Sequence, residues 1–435
     1  MSKHEVYVGL DFGTSYTKVC YNVKDDMYIY KRNDTPFIPT KIYYSKNKKE
    51  VYMHNIKQDL ILVKYFKYSM VFEPIGNKRL VNNMPEGYKY EELNIVFSIY
   101  FLACIIQEVK LEILEKHYKN TNKIDIDWEI NMSAPINDYI GEIFDLYVNV
   151  LEAANILSDQ VVIEGVSIED IWNIYNGIKN GHVIKNELLS IHPELFVQAV
   201  YFTNNNPYGL NFGSYMIMDI GGGTIDIGIM WRRKWNNDVI YDLVVVNILN
   251  YGVEVIDYKL SKQGLNRDEV IKCLANTLKN DNTNYYSSIF TTNINKMLEE
   301  EFKQPLNGID NITKKRIYYS GGGSIFPWFK QHVNSIKKHT IVEDEIQINK
   351  QPLNYNNDKK DLHRLIIAME LAQPVDMIER NLGSTIIING NKMIPGKINP
   401  IFEVQRSEIK KLHIDQDKDC NHEKLYQLQK DLYGH

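Results

Sequence analysis

Two similar stretches of the sequence constrain its fold more than any other feature. The first, "VGLDFGTSYTKVCYN", spans Val8 to Asn22, and the second, "MIMDIGGGTIDIGIM", spans Met216 to Met230. Each joins an apolar run, an aspartate, a glycine turn with a hydroxyl residue and another apolar run, which is typical of two strands linked by a tight turn. Hairpins so far apart in the chain indicate a repeated half-molecule and not a short solenoid unit.

Strands and helices alternate through the rest of the chain. "IYYSKNKKEVYM" predicts a second hairpin, "DIDWEINMSAPI" a buried strand that Pro135 ends, and "KKRIYYSGGGSIFPWFKQHV" a strand, a glycine turn and a helix. Four further segments predict helices, namely "PEGYKYEELNIVFSIYFLACIIQEVKLEILEKHYK", "NDYIGEIFDLYVNVLEAANIL", "HPELFVQAVYF" and "DLHRLIIAMELAQP". This order predicts an α/β protein of two lobes of similar design, 1–210 and 211–335, with a hinge near 203–214. The residues 336–435 are predicted to add an extra hairpin on an "NGN" turn and an amphipathic C-terminal helix.

Composition and charge exclude several classes of function. The net charge of −5 gives no electrostatic argument for binding nucleic acid. The four cysteines show no C-x-x-C spacing, so free thiols in a reducing compartment are expected. The apolar segment 93–109 is interrupted by polar residues and is interpreted as a buried core helix, with no membrane contact. The start of the chain runs directly into a strand without a secretory signal, so we expect a cytoplasmic protein.

The glycine turns have the chemistry of a phosphate site. Consecutive N–H groups in such turns point into one concavity that suits phosphate oxygens, and Thr14, Ser15 and Thr224 add hydroxyl donors. An aspartate precedes each turn, Asp11 and Asp219, and a bare carboxylate would repel phosphate unless a divalent cation with its waters lay between them. The pair therefore predicts a clamp on Mg-triphosphate from both sides, although neither turn is a Walker A loop.

At this level of detail the sequence resembles the superfamily of actin, sugar kinases and the seventy-kilodalton heat-shock chaperones. Five motifs occur in the order found in that superfamily: "LDFGTSY" and "MDIGGGTID" resemble its phosphate loops, "NMSAPI" its first connecting strand, "YGVEVIDYKL" the chaperone pattern that follows, and "YYSGGGSIFP" its adenosine loop. The heat-shock chaperone is the most similar of these families, and the similarity covers about 1–375. The resemblance implies two lobes with ribonuclease-H-like mixed sheets, a small hairpin subdomain near 30–120, ATP or ADP with Mg²⁺ in the cleft, and a helix in "HRLIIAMELA" that closes back onto the first lobe.

The resemblance also implies roles for individual residues. Asp11 and Asp219 would orient the Mg²⁺ shell through water and the attacking water, and Lys64, with Lys67 as the second choice, would place a positive charge near the γ-phosphate. The remaining residues expected to bind nucleotide are Gly13, Thr14, Ser15, Tyr16, Gly221, Gly222, Gly223, Thr224, Gly252, Glu254, Gly321, Gly322 and Gly323.

Several positions depart from the chaperone pattern. The glutamate that precedes a proline at the start of the last first-lobe helix is replaced by His192, with Glu194 two positions later. Ile325 occupies the place of a basic residue in the adenosine loop, and the arginine expected after Pro135 has no counterpart. The subdomain covering the base is expected to be reduced, and few residues follow Pro374, so no peptide-binding domain is expected.

These observations leave four functions open. The first is a chaperone-like ATPase switch that acts on a partner protein through its second lobe or C-terminal tail. The second is an actin-like, self-associating filament protein that segregates plasmids or organises the cell. The third is a small-molecule kinase, although no separate acidic pair for a sugar hydroxyl is evident. The fourth is a scaffold that binds nucleotide without turnover, suggested by His192.

Overall fold

The computed structural model describes residues 3–55, 59–72, 75, 80, 82–119, 124–135, 142–160, 165–182, 186–204, 213–235, 238–275, 281–296, 314–334, 340–343, 352–355 and 359–379. Within these ranges the protein is a mixed α/β structure with three sheets. The predicted "NGN" hairpin, the predicted C-terminal helix and most of the predicted hinge lie outside the described residues.

The strands of the described part are, in chain order, β1 Lys3–Asp11, β2 Tyr16–Val23, β3 Asp26–Ile29, β4 Ile38–Pro39, β5 Lys41–Ser45, β6 Glu50–Tyr52, β7 Ile61–Lys64, β8 Asp125–Ala134, β9 Val166–Ser167, β10 Leu189–Pro193, β11 Gly213–Ile220, β12 Ile225–Trp235, β13 Asp238–Leu249, β14 Lys314–Ser320 and β15 Thr340–Glu343.

The α-helices are α1 Phe66–Ser69, α2 Tyr90–His117, α3 Glu142–Asp159, α4 Ile168–Lys179, α5 Glu194–Asn204, α6 Val253–Ser261, α7 Arg267–Leu274, α8 Asp281–Lys296, α9 Pro327–Asn334, α10 Ile366–Leu371 and α11 Val375–Glu379. Short 3₁₀ helices span Gly322–Ile325 and Lys359–Arg364.

The two main sheets have the same strand order and the same strand directions. In the first sheet the order is β10-β8-β1-β2-β3, with β4 also pairing with β2, and in the second it is β15-β14-β11-β12-β13. In each, three consecutive strands run antiparallel and two later strands add in parallel beside the first of them. Both repeated stretches form the predicted hairpins, β1–β2 and β11–β12. This shared topology is what a repeated half-molecule predicts.

The third sheet is small, and all of its strands come from the part of the sequence between the first hairpin and α5. Its order is β7-β5-β6-β9, and β5 and β6 form the second predicted hairpin. Helix α2 is also confirmed. At its start the backbone N–H of Lys89 donates to Glu92 Oε2 at 2.8 Å, and its last turn is basic, as the helix dipole favours. Length and composition would allow α2 to cross a membrane, but 78% of its apolar window is buried, as in a core helix.

The helix predicted in "HPELFVQAVYF" is confirmed, with Pro193 directly before its first turn: β10 ends at Pro193 and α5 begins at Glu194. Residues of β10 pair in parallel with β8, His192 with Ser133 and Pro193 with Ala134, so sheet pairing holds this stretch extended. A proline at the end of an edge strand is compatible with that pairing.

Helix α10 packs on the central strand of the first sheet. A Cβ at Gly9 of β1 would lie 2.2 Å from the carbonyl oxygen of Ala368, so only glycine allows this approach. The amide of Asn131 in β8 donates to the carbonyl of Leu371 at 2.9 Å. The predicted helix in "HRLIIAMELA" therefore returns to the first sheet.

Three main apolar cores hold these layers together. One lies on the first sheet with α2, α3 and α4, and another on the second sheet with α6, α7 and α9. A core between them combines α5 and α10 with residues of both sheets, including Cys20 from β2 and Ile217 from β11. Because this shared core connects both sheets, it fixes the positions of the two glycine turns relative to each other.

Candidate functional site

The two glycine turns face one cavity of about 220 Å³. It is lined by residues from both hairpins, from α1, α5, α6 and α7, from the adenosine-loop motif and from the segment before α10. The lining residues are Asp11, Gly13, Thr14, Ser15, Tyr16, Lys18, Lys67, Glu194, Gln198, Asp219, Gly221, Gly222, Gly223, Thr224, Val253, Glu254, Arg267, Ile271, Ser320, Gly321, Gly322, Gly323, Ile325, Phe326, His363, Arg364, Ile366 and Ile367.

The first turn carries a neutralised aspartate. Asp11 ends β1 and is 4% exposed, and Lys18 lies directly opposite it on β2. The Lys18 ammonium donates to Asp11 Oδ2 at 2.6 Å. Thr40 supports the turn from below, since its hydroxyl donates to the carbonyl of Gly13 at 2.8 Å.

The second turn carries an aspartate among other acids. Asp219 is the penultimate residue of β11 and lies directly opposite Asp226 on β12. Carboxylate oxygens of Glu194, Asp219 and Asp226 lie within 4.8 Å of one another, and all three residues are buried. Burial and the neighbouring Glu194 charge raise the pKa of Asp219, and the same two causes raise the pKa of Asp226. This cluster is therefore a place where a cation would be stabilised.

Helix α6 closes the second turn from outside. The backbone N–H groups of Gly252, Val253 and Glu254 donate to the carbonyls of Gly223, Gly221 and Gly222 at 3.0, 3.1 and 2.8 Å. Gly252 thus packs behind the turn as the residue before α6 and does not line the cavity, whereas Glu254 does.

The two turns are in direct contact. A Cβ at Gly222 would lie 2.2 Å from Ser15 Oγ, and one at Gly223 would lie 2.8 Å from Thr14 Oγ1. Ser15 Oγ is buried and makes no hydrogen bond within the described residues. A buried polar atom without a partner is costly, so a ligand atom that hydrogen-bonds Ser15 Oγ would be stabilised.

The third glycine motif lies beside Asp219. Gly321 has φ 78°, and a Cβ there would lie 2.2 Å from Asp219 Oδ1. Ser320 extends the site, since its hydroxyl donates to Gln198 Oε1 at 2.7 Å. Ile325 also lines the cavity and is 61% exposed, and the Arg364 guanidinium lies 3.8 Å above the Phe37 ring.

The structure replaces Lys64 with Lys67 at the cavity. Lys64 is the exposed last residue of β7 and does not line the cavity. Lys67 is buried in α1, and its ammonium donates to Glu194 Oε1 at 2.7 Å. Burial alone would lower the pKa of Lys67, but the Glu194 carboxylate more than offsets this, so the pKa is raised and the ammonium stays charged.

His192 lies outside the cavity lining. Its Nε2 is 2.8 Å from the Ser190 hydroxyl, and burial lowers the pKa of His192 to about 4. The carboxylate that reaches the cavity in this region is Glu194, in the first turn of α5.

Sequence reasoning missed several lining residues. These are Lys18, Gln198, Arg267 and Arg364, together with Glu194, which was noted without a role. Asp226 was missed as well; it does not line the cavity but belongs to the buried acidic cluster with Glu194 and Asp219. Lys18 and Asp226 could have been predicted from the sequence. In a hairpin, a residue opposite an aspartate on the return strand has its side chain on the same face of the sheet as that aspartate. Gln198 and Arg364 come from other elements, and no local pattern marks them.

Comparison with known proteins gives a short similarity. No family model matches the chain. A 46-residue segment is 39% identical to the "Movement protein Hsp70h" of Beet yellows virus (isolate Ukraine). That segment is 11% of this chain and 8% of the viral protein. Part of the chain is thus similar to a heat-shock-type protein.

Proposed function

We propose that the protein binds Mg-ATP or Mg-ADP between two actin-like lobes and hydrolyses ATP slowly, as a heat-shock-chaperone-like switch that acts on a partner protein. The observation that carries the proposal is that equivalent turns of two sheets with equal topology meet at one cavity, each with an aspartate at its edge. The short similarity to a heat-shock-type protein supports this family over others in the superfamily.

The residues present fit a phosphate chain. The second turn exposes glycine backbone to the cavity, and Thr14, Ser15 and Thr224 supply hydroxyl groups around it. Lys18 and Lys67 add two ammonium groups on the side of the first hairpin. Backbone amides and cations in a concave site are the usual partners of phosphate oxygens.

The residues also fit a divalent cation. Asp11, Glu194, Asp219 and Asp226 bring four carboxyl groups to the cavity region, against the two ammonium groups of Lys18 and Lys67. Asp11 and Asp219 would hold Mg²⁺ through water, and the ion would screen phosphate from these acids and stabilise charge that develops on the transferred group.

The chain's own residues then divide the catalytic tasks. The Glu194 carboxylate holds the Lys67 ammonium in place, which provides a fixed positive charge where negative charge accumulates during phosphoryl transfer. Asp219 lines the cavity and is a buried acid that can orient an attacking water and accept its proton. Because burial raises the pKa of Asp219 to about 7, its carboxylate is a stronger base than an exposed one.

Part of the cavity lining suits a nucleoside. Arg267, Ile271, Ile325 and Arg364 all line the cavity, and we propose that they surround the nucleoside. Planar guanidinium groups stack on aromatic rings, and isoleucine side chains offer apolar surface, so a base can be held with few hydrogen bonds. The arginines would replace the basic residue that the family has at Ile325.

Turnover by the pure protein tests the proposal. We expect sustained phosphate release with Mg-ATP that Asp219→Ala abolishes while the far-ultraviolet circular dichroism is retained. Absence of Mg-ATP binding, or full activity in that variant, would overturn it. Slow release is expected because no partner is present, and a partner protein in the cytoplasm is proposed to accelerate it.

An actin-like filament remains the second candidate. Sedimentation velocity with Mg-ATP and with Mg-ADP separates the two functions. A discrete species that carries nucleotide in both states fits the switch, and a fast, polydisperse boundary that forms only with ATP fits the filament. The scaffold without turnover is the third candidate. Glu194 brings a carboxylate to the cavity two positions after His192, which favours turnover, and sustained phosphate release by the pure protein would exclude the scaffold.

A further inference from the structure

The short segment Tyr65–Tyr68 contacts three different elements around the cavity. The Tyr65 hydroxyl donates to Glu254 Oε2 of α6 at 2.7 Å, and Lys67 binds Glu194 of α5. The Tyr68 ring lies so close to the second turn that a Cβ at Gly223 would be 2.6 Å from its Cδ2. One turn of helix from the first half therefore touches the second half at two points.

Tyr65 holds an unusual backbone conformation. Its φ of 59° and ψ of 19° are left-handed, a region that residues other than glycine rarely adopt. Strain of this kind persists only where the surroundings impose it, and it concentrates at clamps and switch regions. Here it ends β7 and redirects the chain so that the Tyr65 ring points at α6.

The acceptor of the Tyr65 hydroxyl is rigidly tied to the second turn. Glu254 is held by Arg267 at 2.7 and 2.8 Å, and Arg267 also binds Asp257. The backbone N–H of Glu254 donates to the carbonyl of Gly222. A change in the position of that turn is thereby transmitted to the carboxylate that Tyr65 contacts.

An apolar seam reinforces the contact. Tyr68, Ile75 and Val255 form a small buried cluster, and Tyr65 and Tyr258 pack against it. The seam and the Tyr65–Glu254 hydrogen bond join α1 of the first half to α6 of the second half beside the cavity, so the two halves separate there only if both contacts break.

We propose that Tyr65 is a latch residue, whose hydrogen bond to Glu254 holds the two halves together beside the cavity and sets the rate at which nucleotide leaves. The nucleotide occupant rests on the proposed function, whereas the latch itself is a property of the protein alone. Tyr65 acts through Glu254 and the second turn, so it is a positioning residue and takes no part in the chemical step.

The test compares Tyr65→Phe with Tyr258→Phe. The first removes only the hydroxyl that binds Glu254, and the second removes a hydroxyl from a neighbouring ring of the same seam. Release of a fluorescent methylanthraniloyl-ADP with Mg²⁺, chased by excess ADP in a stopped-flow instrument, should be about tenfold faster in Tyr65→Phe, the effect expected for a hydrogen bond to a charged acceptor. Tyr258→Phe should release at the wild-type rate.

Amide hydrogen exchange without nucleotide separates the latch from the proposed function. Tyr65→Phe should exchange several times faster in α1 and α6, with β8 unchanged as the internal reference. If the wild-type protein binds no nucleotide, the proposed function fails. The difference in hydrogen exchange between the wild type and Tyr65→Phe then tests the latch by itself. Equal nucleotide release, or equal exchange of α1 and α6 in the wild type and Tyr65→Phe, overturns the latch.

Discussion

The two glycine turns share a backbone pattern but differ in charge. In each hairpin an aspartate lies at or next to the end of the first strand, and its cross-strand partner on the return strand is Lys18 in the first hairpin and Asp226 in the second. The first turn is internally neutralised, since Lys18 lies 2.6 Å from Asp11. The second turn instead has Glu194, Asp219 and Asp226 within 4.8 Å of one another.

Because of this difference in charge, the two turns respond differently to a bound ligand. A neutralised turn is stable without a ligand, whereas buried acids in contact with one another are stable only when protons or a cation compensate them. In the free protein Lys67 supplies part of that compensation from the first half. The second turn is therefore the one whose stability responds to a bound metal and nucleotide.

The largest effect is expected from removing Lys67. Lys67→Met should lower ATP turnover by about 10²–10³, the effect of losing one preorganised charge in an active site. The matched control is Lys64→Met, which changes an exposed lysine outside the cavity lining and should retain wild-type turnover. Steady-state phosphate release measures both, and equal losses in the two variants would contradict the assignment.

The same substitution should have opposite effects on stability in the two turns. Asp11→Asn leaves the Lys18 ammonium without its carboxylate and should lower the free energy of unfolding by about 1–3 kcal/mol. Asp219→Asn removes a buried charge next to two acids and should raise it by about 1–3 kcal/mol at pH 8.

Urea unfolding without magnesium or nucleotide measures whether the free energy of unfolding falls in Asp11→Asn and rises in Asp219→Asn. Changes of the same sign in Asp11→Asn and Asp219→Asn would show that the turns are electrostatically equivalent, contrary to the comparison.

The second turn should also make ligand binding pH-dependent. Burial first, and then the Glu194 and Asp11 charges, raise the pKa of Asp219 from 3.8 to about 7. The folded protein therefore binds more protons than the unfolded chain between these values, and this group's contribution to stability falls as pH rises through that window. A cation needs the deprotonated carboxylate, so Mg-ADP should bind about tenfold more tightly at pH 8 than at pH 6.

Calorimetric titration at the two pH values measures this effect, and Asp219→Asn should remove the pH dependence. A wild-type affinity that is unchanged between pH 6 and pH 8 would indicate that Asp219 does not face the cation.

A smaller effect concerns the matching glycines of the two turns. A Cβ at Gly13 would lie 2.3 Å from the carbonyl oxygen of Tyr16, and one at Gly221 would lie 3.1 Å from that of Thr224. Gly13→Ala should therefore cost about 1–3 kcal/mol, because backbone has to move, and Gly221→Ala less than about 1 kcal/mol. Thermal unfolding of both variants checks the order, and a larger loss in Gly221→Ala would contradict it.

The parts of the site that follow from local pattern could be predicted from the sequence. Alternating apolar residues around a glycine turn identify both hairpins. The aspartate two residues before the first glycine of each turn can be read directly from the sequence. Asp11 and Asp219 consequently lie at the cavity as expected. The strand order could also be anticipated, because a repeated sequence pattern builds a repeated topology.

The rest depends on conformations that sequence patterns do not specify. Lys67 reaches the cavity because Tyr65 adopts a left-handed conformation that ends β7, and nothing in "LVKYFKYS" favours that conformation for a tyrosine. Glu194 reaches the cavity because β10 pairs with β8 and so places the first turn of α5 beside Lys67, and this tertiary pairing leaves no local signal in the sequence. Arg364 arrives from a distant segment by tertiary packing on Phe37.

The central claim is that both turns hold one and the same Mg-nucleotide. Isothermal titration of the wild type, Asp11→Asn and Asp219→Asn with ADP, each in Mg²⁺ and in EDTA, tests it most directly. The account predicts one site per chain that requires Mg²⁺ and that either substitution weakens at least tenfold. Binding that survives the loss of either aspartate unchanged, or that ignores Mg²⁺, would contradict it.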